Sequence, residues 1–148
     1  MGQTTQLLTA LLGSLGFALI FNVRGRYLVT ASLGGMLAWG VYLAVGTLSP
    51  DIFLPTAAAS AAVTAYSEAF ARLKKTPAIQ YLIVGLLPLV PGGSLYYAMR
   101  ELMERNLAKA GECGFQTALY ALGIAAGISM TLSVIEIFKN AKRLKKKS

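Results

Sequence analysis

The sequence predicts an all-α polytopic membrane helix bundle of about five transmembrane helices, the fourth interrupted at a Pro-Leu-Val-Pro-Gly-Gly segment. Three observations predict it. Hydrophobic residues make up 55% of the 148 residues. With glycine added the apolar share is about two-thirds, against roughly 45–50% in soluble domains. The chain also divides into largely apolar runs of roughly 20 residues, that from Ala78 to Met99 uncharged, each long enough as a helix to cross a bilayer core. Finally, the 14 Lys and Arg lie between these runs and in the tail, as membrane flanks do.

Composition excludes several functions. The formal charge of +8 could suit a nucleic-acid binder, but the chain has no RNA-binding signature and no basic–aromatic interleaving. With no His and only Cys113, a His/Cys zinc site, a Ser-His-Asp triad and an internal disulfide are all out of reach. No cofactor, metal or nucleic-acid partner is expected. The six carboxylates show no two-carboxylate or metal-ligand spacing, so an enzyme is not expected either.

One integral membrane domain is expected over residues 1–148, with spans at 4–21, 27–48, 52–71, 78–99 and 115–138 and a basic cytoplasmic tail at 139–148. The first span has Gly13 and Gly16 as a small-residue patch. Its first basic flank is Arg24, so it lacks the charged start of a signal peptide and should stay as a helix. The second span carries Gly34, Gly35, Gly40 and Gly46, with Trp39 placed for packing. A turn at Ser49-Pro50-Asp51 follows, where Asp51 is expected to cap the third helix.

The third span is Ala-rich, and Thr56, Ser60, Thr64 and Glu68 recur every fourth residue, forming one polar stripe. Such a helix belongs inside a bundle. Arg72, Lys74 and Lys75 close it, and Pro77 ends it. The fourth helix is expected to continue as an amphipathic segment from about Leu95 to Ala110, stopping near Gly111, with Glu101–Arg105 as an attractive i,i+4 pair. The fifth span carries a close-contact face at Gly123 and Gly127, and Glu136 and Lys139 are expected to pair near its end.

Pro88 and Pro91 lack the N–H groups that would bond the carbonyls of Val84 and Leu87. In lipid, broken backbone is tolerated only where protein buries it or where it lines a wet cavity. The expected substrate site is therefore Pro88, Pro91, Gly92, Gly93 and Ser94, completed by the stripe Thr56, Ser60 and Thr64. Freed carbonyls would hold an ammonium group, and the N–H groups opening the next half-helix would hold a carboxylate. A kink used only for packing is the competing reading. Glu68 is the coupling candidate, with an i,i+4 pair to Arg72 as its alternative role.

With five spans, the basic loops and the tail share one side, so the N-terminus is expected outside and the C-terminus in the cytoplasm. The Ala-rich third span and the Gly123/Gly127 face suggest an oligomer.

Phe21-Asn22, the Gly34-Gly35…Trp39 helix, the Ala/Ser-rich helix ending in Arg72 with Pro77 after it, and the Pro88-Leu-Val-Pro-Gly92 core resemble the threonine/serine exporter family. The match is to its short, five-span subunit form and covers nearly the whole chain. The resemblance implies an inner-membrane efflux carrier for small polar metabolites. It also implies a larger membrane subunit as partner, bearing a soluble N-terminal region. The two-chain form of the family is linked to small dicarboxylates as well, so succinate-like export stands beside amino-acid export. A subunit that only scaffolds a larger carrier is the third reading.

Overall fold

The computed structural model describes residues 2–23 and 25–145, giving only the backbone at 26 and 142–145. Six α-helices follow one another: α1 (Gln3–Ile20), α2 (Arg26–Gly46), α3 (Phe53–Lys74), α4 (Ala78–Leu86), α5 (Gly92–Met103) and α6 (Leu107–Lys145). A 3-10 turn at Leu87–Leu89 continues α4. Arg24 and residues 146–148 lie outside the described residues.

Large apolar side chains point outward along the helices: Leu12 is 66% exposed, Ile20 74% and Met130 70%. The inside is lined instead by small and hydroxyl side chains. Water would not tolerate this arrangement, but a bilayer favours it. Gln3–Ile20, Tyr27–Gly46 and Leu107–Ala141 are each long and apolar enough to cross a membrane. The pair Ala78–Leu89 and Gly92–Met103 passes the same test jointly, bent by 52°.

By hydropathy α3 does not pass, and its surroundings explain why. It packs against α2, α4 and α6. Thr56, Ser60, Thr64 and Ser67 on it are at most 1% exposed. A helix enclosed by three others needs little oily surface. Close approach is what its small residues provide. A Cβ on Gly85 of α4 would stand 2.7 Å from Val63 of α3 and 3.4 Å from the Gly34 backbone of α2. A Cβ on Gly127 of α6 would run into Ser60 and the backbone of Ala57. The Gly123/Gly127 face is thus spent on α3 within the chain and gives no support for an oligomer. A Cβ on Gly13 or Gly16, the expected contact points, would meet nothing within 4 Å; on α1 the close approach is made by Ser14 against Gly35.

The loops are short because three helices end in left-handed caps. Asn22 (φ 56), Lys75 (φ 52) and Arg105 (φ 58) each occupy that conformation. After α1, Val23 N–H reaches Ala18 O at 2.9 Å and Asn22 N–H reaches Leu19 O at 3.0 Å, the Schellman pattern. Asn is among the few non-glycine residues that take this cap readily. At α3 the matching bond runs from Thr76 N–H to Ala71 O, and at α5 from Asn106 N–H to Glu101 O.

This third cap overturns one expectation. The chain does not run helical from Leu95 to Ala110 but turns at Glu104–Asn106, and α6 begins at Leu107, so Gly111 lies inside a helix. Arg100 therefore pairs with Glu104 at 2.9 Å, while Glu101 accepts from the Asn106 amide instead of meeting Arg105. Two smaller expectations also change. Ile52, not Asp51, occupies the start of α3, with no side-chain cap. Lys139 reaches across to Glu68 at 3.6 Å and leaves Glu136 aside. The tail is helical as far as Lys145.

Two bodies result. Helices α1–α4 form a bundle with two small apolar clusters, one around Tyr81 and Val84, the other around Val63 and Leu89. Helices α5 and α6 form a hairpin, whose α6 is seated on α3 while α5 packs on α6.

Candidate functional site

Between the bundle and the hairpin lies a cavity of about 240 Å³. This is roughly the space of eight liquid-phase waters. Its floor is the broken segment itself, Pro88 to Ser94; α2 contributes Trp39 and Tyr42, and α6 contributes Gln116 and Tyr120.

The break has a definite form. After the 3-10 turn, Val90 N–H bonds Leu87 O at 3.2 Å. Pro91 then takes φ −78° and ψ 56°, and Gly92 N–H closes onto Val90 O at 2.8 Å. That is an inverse γ-turn centred on a proline, a residue whose ring already fixes the required φ. Helical bonding resumes with Leu95 N–H to Pro91 O at 3.1 Å. The Leu87 carbonyl, expected to be free, is therefore occupied. The backbone groups the break offers are donors: Gly93 and Ser94 stand in the first turn of α5, where N–H groups have no acceptor within the helix. The positive end of the helix dipole coincides with them.

Gly92 and Gly93 are exposed, and a Cβ on either would meet nothing within 4 Å. Neither residue has a positive φ. The glycines are thus demanded neither by backbone strain nor by neighbouring atoms of this chain; they keep the cavity floor bare. Ser94 turns its hydroxyl back to Pro91 O at 3.3 Å.

The walls are aromatic and neutral. Trp39 and Tyr42 stack with centroids 5.1 Å apart. Trp39 Nε1 donates to Gln6 Oε1 of α1 at 3.3 Å. The Tyr42 and Tyr120 hydroxyls hydrogen-bond at 2.9 Å, joining α2 to α6 across the cavity. None of the lining residues carries a charge.

The second half of the expected site lies elsewhere. Thr56, Ser60 and Thr64 do not line this cavity. Thr56 donates to Ile52 O at 2.7 Å, Thr64 to Ser60 O at 2.7 Å, and Ser60 to Ala57 O at 3.0 Å and Gly123 O at 3.3 Å. The stripe is a hydroxyl seam between α3 and α6, satisfied by carbonyls one turn back and across the contact. The shared face of α3 was legible in the four-residue spacing, but the neighbour it meets was not.

Glu68 is also remote from the break. It lies at the basic end, paired with Arg72 at 3.1 Å and Lys139 at 3.6 Å, beside a cavity of about 370 Å³ lined also by Glu136 and Asn140. Trp39, expected only to pack, and Tyr42, Gln116 and Tyr120 are the lining residues that sequence reasoning missed. Two signals were there. Gln116 and Tyr120 are an i,i+4 polar pair on one face of α6, and Tyr42 follows Trp39 by three positions on one face of α2.

A neutral, aromatic cavity with helix N–H donors at its floor can hold a small zwitterion. The donors and dipole suit a carboxylate, and the faces of Trp39 and Tyr42 suit an ammonium group.

The family model described as Threonine/Serine exporter, ThrE, matches residues 6–134. Neither the curated proteins nor the solved structures give a match to the chain. The matched stretch takes in all of the cavity lining and all but the ends of the helical array, and the chain belongs to the threonine/serine exporter family of membrane proteins.

Proposed function

We propose that this chain is the membrane subunit of an efflux transporter for small polar amino acids of the threonine/serine type, and that the cavity at Pro88–Ser94 is its substrate site. The observation that carries the choice of substrate is the absence of charge from the lining. A dicarboxylate such as succinate brings two negative charges, and burying them without cationic partners is expensive. A zwitterion is neutral overall, and donors and aromatic faces are enough for it. Weak polar contacts also permit release. Counterflow of labelled L-threonine, L-serine and succinate in proteoliposomes tests this. Exchange of the amino acids that Gly93→Val abolishes supports the reading; preference for succinate overturns it.

In this reading α4, the 3-10 turn and α5 form one bent span and α3 a fifth, enclosed one. Helix ends bearing Arg26, Arg72, Lys74 and Lys75 and the distal part of α6 are gathered at one end. Lys74 lies 5.9 Å from the Tyr27 ring and Lys139 reaches Glu68, which supports that grouping. That end faces the cytoplasm of a bacterial inner membrane, and the N-terminus faces outward. The far end is close to neutral, since Arg100, Arg105 and Lys109 are matched there by Glu101, Glu104 and Glu112.

The chain acts with a longer partner subunit. Support comes from the open side of the site. Gly92 and Gly93 are exposed, and among the described residues α5 packs chiefly on α6. At membrane depth lipid cannot satisfy first-turn N–H groups, so protein must cover them. A subunit of opposite orientation would make an inverted repeat around the break. A second copy of this chain is the other possible cover, and cross-linking from α5 distinguishes the two.

A further inference from the structure

Trp39 and Pro88 line the substrate cavity on one side and a second cavity on the other. The second has about 260 Å³ and is completed by Gln6, Thr9 and Ala10 of α1. It extends along α1 into a smaller space of about 130 Å³, which shares Thr9, Ala10 and Pro88 and reaches Ser14. Together they form a cleft between α1 and the broken segment. Its polar groups are the Gln6 amide and the Thr9 hydroxyl, which bonds the Thr5 and Gln6 carbonyls. The Ser14 hydroxyl is 1% exposed and has no hydrogen-bond partner. That hydroxyl is packed against Gly35 of α2 and is closed off from the cleft.

We infer that Trp39 is a gate between the two cavities, latched by its hydrogen bond to Gln6, and that the α1 cleft is a second station for the same small polar substrate. This rests on the substrate-site reading above. The wall has one fixed and one movable member. Pro88 is held by its own backbone. Trp39 is a side chain, and its N–H reaches Gln6 at 3.3 Å, at the long end for such a bond. A weak latch suits a gate, because each passage must break it. When the indole leaves Gln6, the cavity at the break and the cleft become one path. The Gln6 amide, released from the indole, then becomes available to the substrate. Gln6 lies one turn into α1, on the end away from the basic helix termini, so the cleft is on the exit side of the proposed orientation.

Trp39 is the sole tryptophan, so its fluorescence reads the gate directly. The full chain in lipid nanodiscs is the sample, and acrylamide is the quencher. Gln6→Leu should shift the Trp39 emission to the red and steepen its quenching without any substrate present. Gln6→Asn keeps the polarity but withdraws the acceptor by one methylene, and it should act in the same direction. Circular dichroism checks that each variant is folded. Emission and quenching unchanged from the parent chain in either folded variant overturns the latch. A separate arm tests the site. L-threonine should move the Trp39 signal saturably in the parent chain, and Gly93→Val should remove that response while leaving the effect of Gln6→Leu in place. If Gln6→Leu acts and L-threonine does nothing, the gate stands and the amino-acid reading falls.

Discussion

Tyr42 of α2 and Tyr120 of α6 meet hydroxyl to hydroxyl at 2.9 Å, a direct polar bond between the four-helix bundle and the α5–α6 hairpin at the cavity. Because it spans the mouth of the proposed site, it ties the spacing of the two bodies to the width of the cavity.

Tyr42→Phe and Tyr120→Phe each delete one hydroxyl and keep the ring. Each should cost about 0.5–1.5 kcal/mol, the usual net worth of such a bond. The double variant should cost little more than either single one, because both remove the same contact. Thermal unfolding in detergent measures this, and additive losses would show that the hydroxyls act independently. Transport should change in all three variants, since the cavity is no longer held at one width.

Glycines on this chain should divide into two classes. Gly127→Val forces a side chain into Ser60 and the α3 backbone, so overpacking of at least 1–3 kcal/mol and little folded protein are expected. Gly93→Ala meets nothing within 4 Å and gains helix propensity, up to about 1 kcal/mol. It should be made and inserted normally yet transport poorly, because its methyl group occupies the cavity floor. A Gly93→Ala chain that exports at the parental rate removes the floor from the site.

Pro88→Ala restores an N–H where α4 now gives way to the 3-10 turn, allowing the helix to run on towards Pro91. Reduced transport with normal insertion is the expected result. Efflux from cells measures it, with membrane abundance as the control. An undiminished rate would make the bend a packing feature.

Glu68→Gln separates two roles. Paired with Arg72 and Lys139 at the basic end, Glu68 ties α3 to α6 near the surface. A partly exposed pair of this kind is worth at most about 1 kcal/mol. Transport driven by a proton gradient should therefore survive the substitution. Loss of gradient-driven efflux with exchange intact would instead make Glu68 the coupling carboxylate.

Topology is read with one label. After Cys113→Ser, a chain carrying Ser148→Cys has its only thiol at the C-terminus. An impermeant maleimide should fail to label it in intact cells and succeed after lysis. Labelling of intact cells would put the basic end outside.

The sequence by itself determined the class of the molecule and the place of the break. Apolar content and charge placement set the membrane class, because they act through the solvent alone. Pro88 and Pro91 set the break, because proline removes a local bond whatever surrounds it. The polar stripe on α3 was also legible, since residues four apart share a helix face.

Only the tertiary structure decided what each face meets. Thr56 and Ser60 turned to α6 because Gly123 and Gly127 let that backbone come close enough to accept Ser60. Nothing in the period of α3 says which neighbour supplies the glycines. Likewise Tyr42 and Tyr120, 78 positions apart, became partners only because α6 is seated on α3 and carries the far wall of the cavity. The end of α5 at Met103 was set by Arg105 taking a left-handed cap, a conformation that arginine adopts rarely and that its neighbours, not its identity, impose. Local chemistry is written along the chain, whereas contact between helices depends on packing that no single stretch contains.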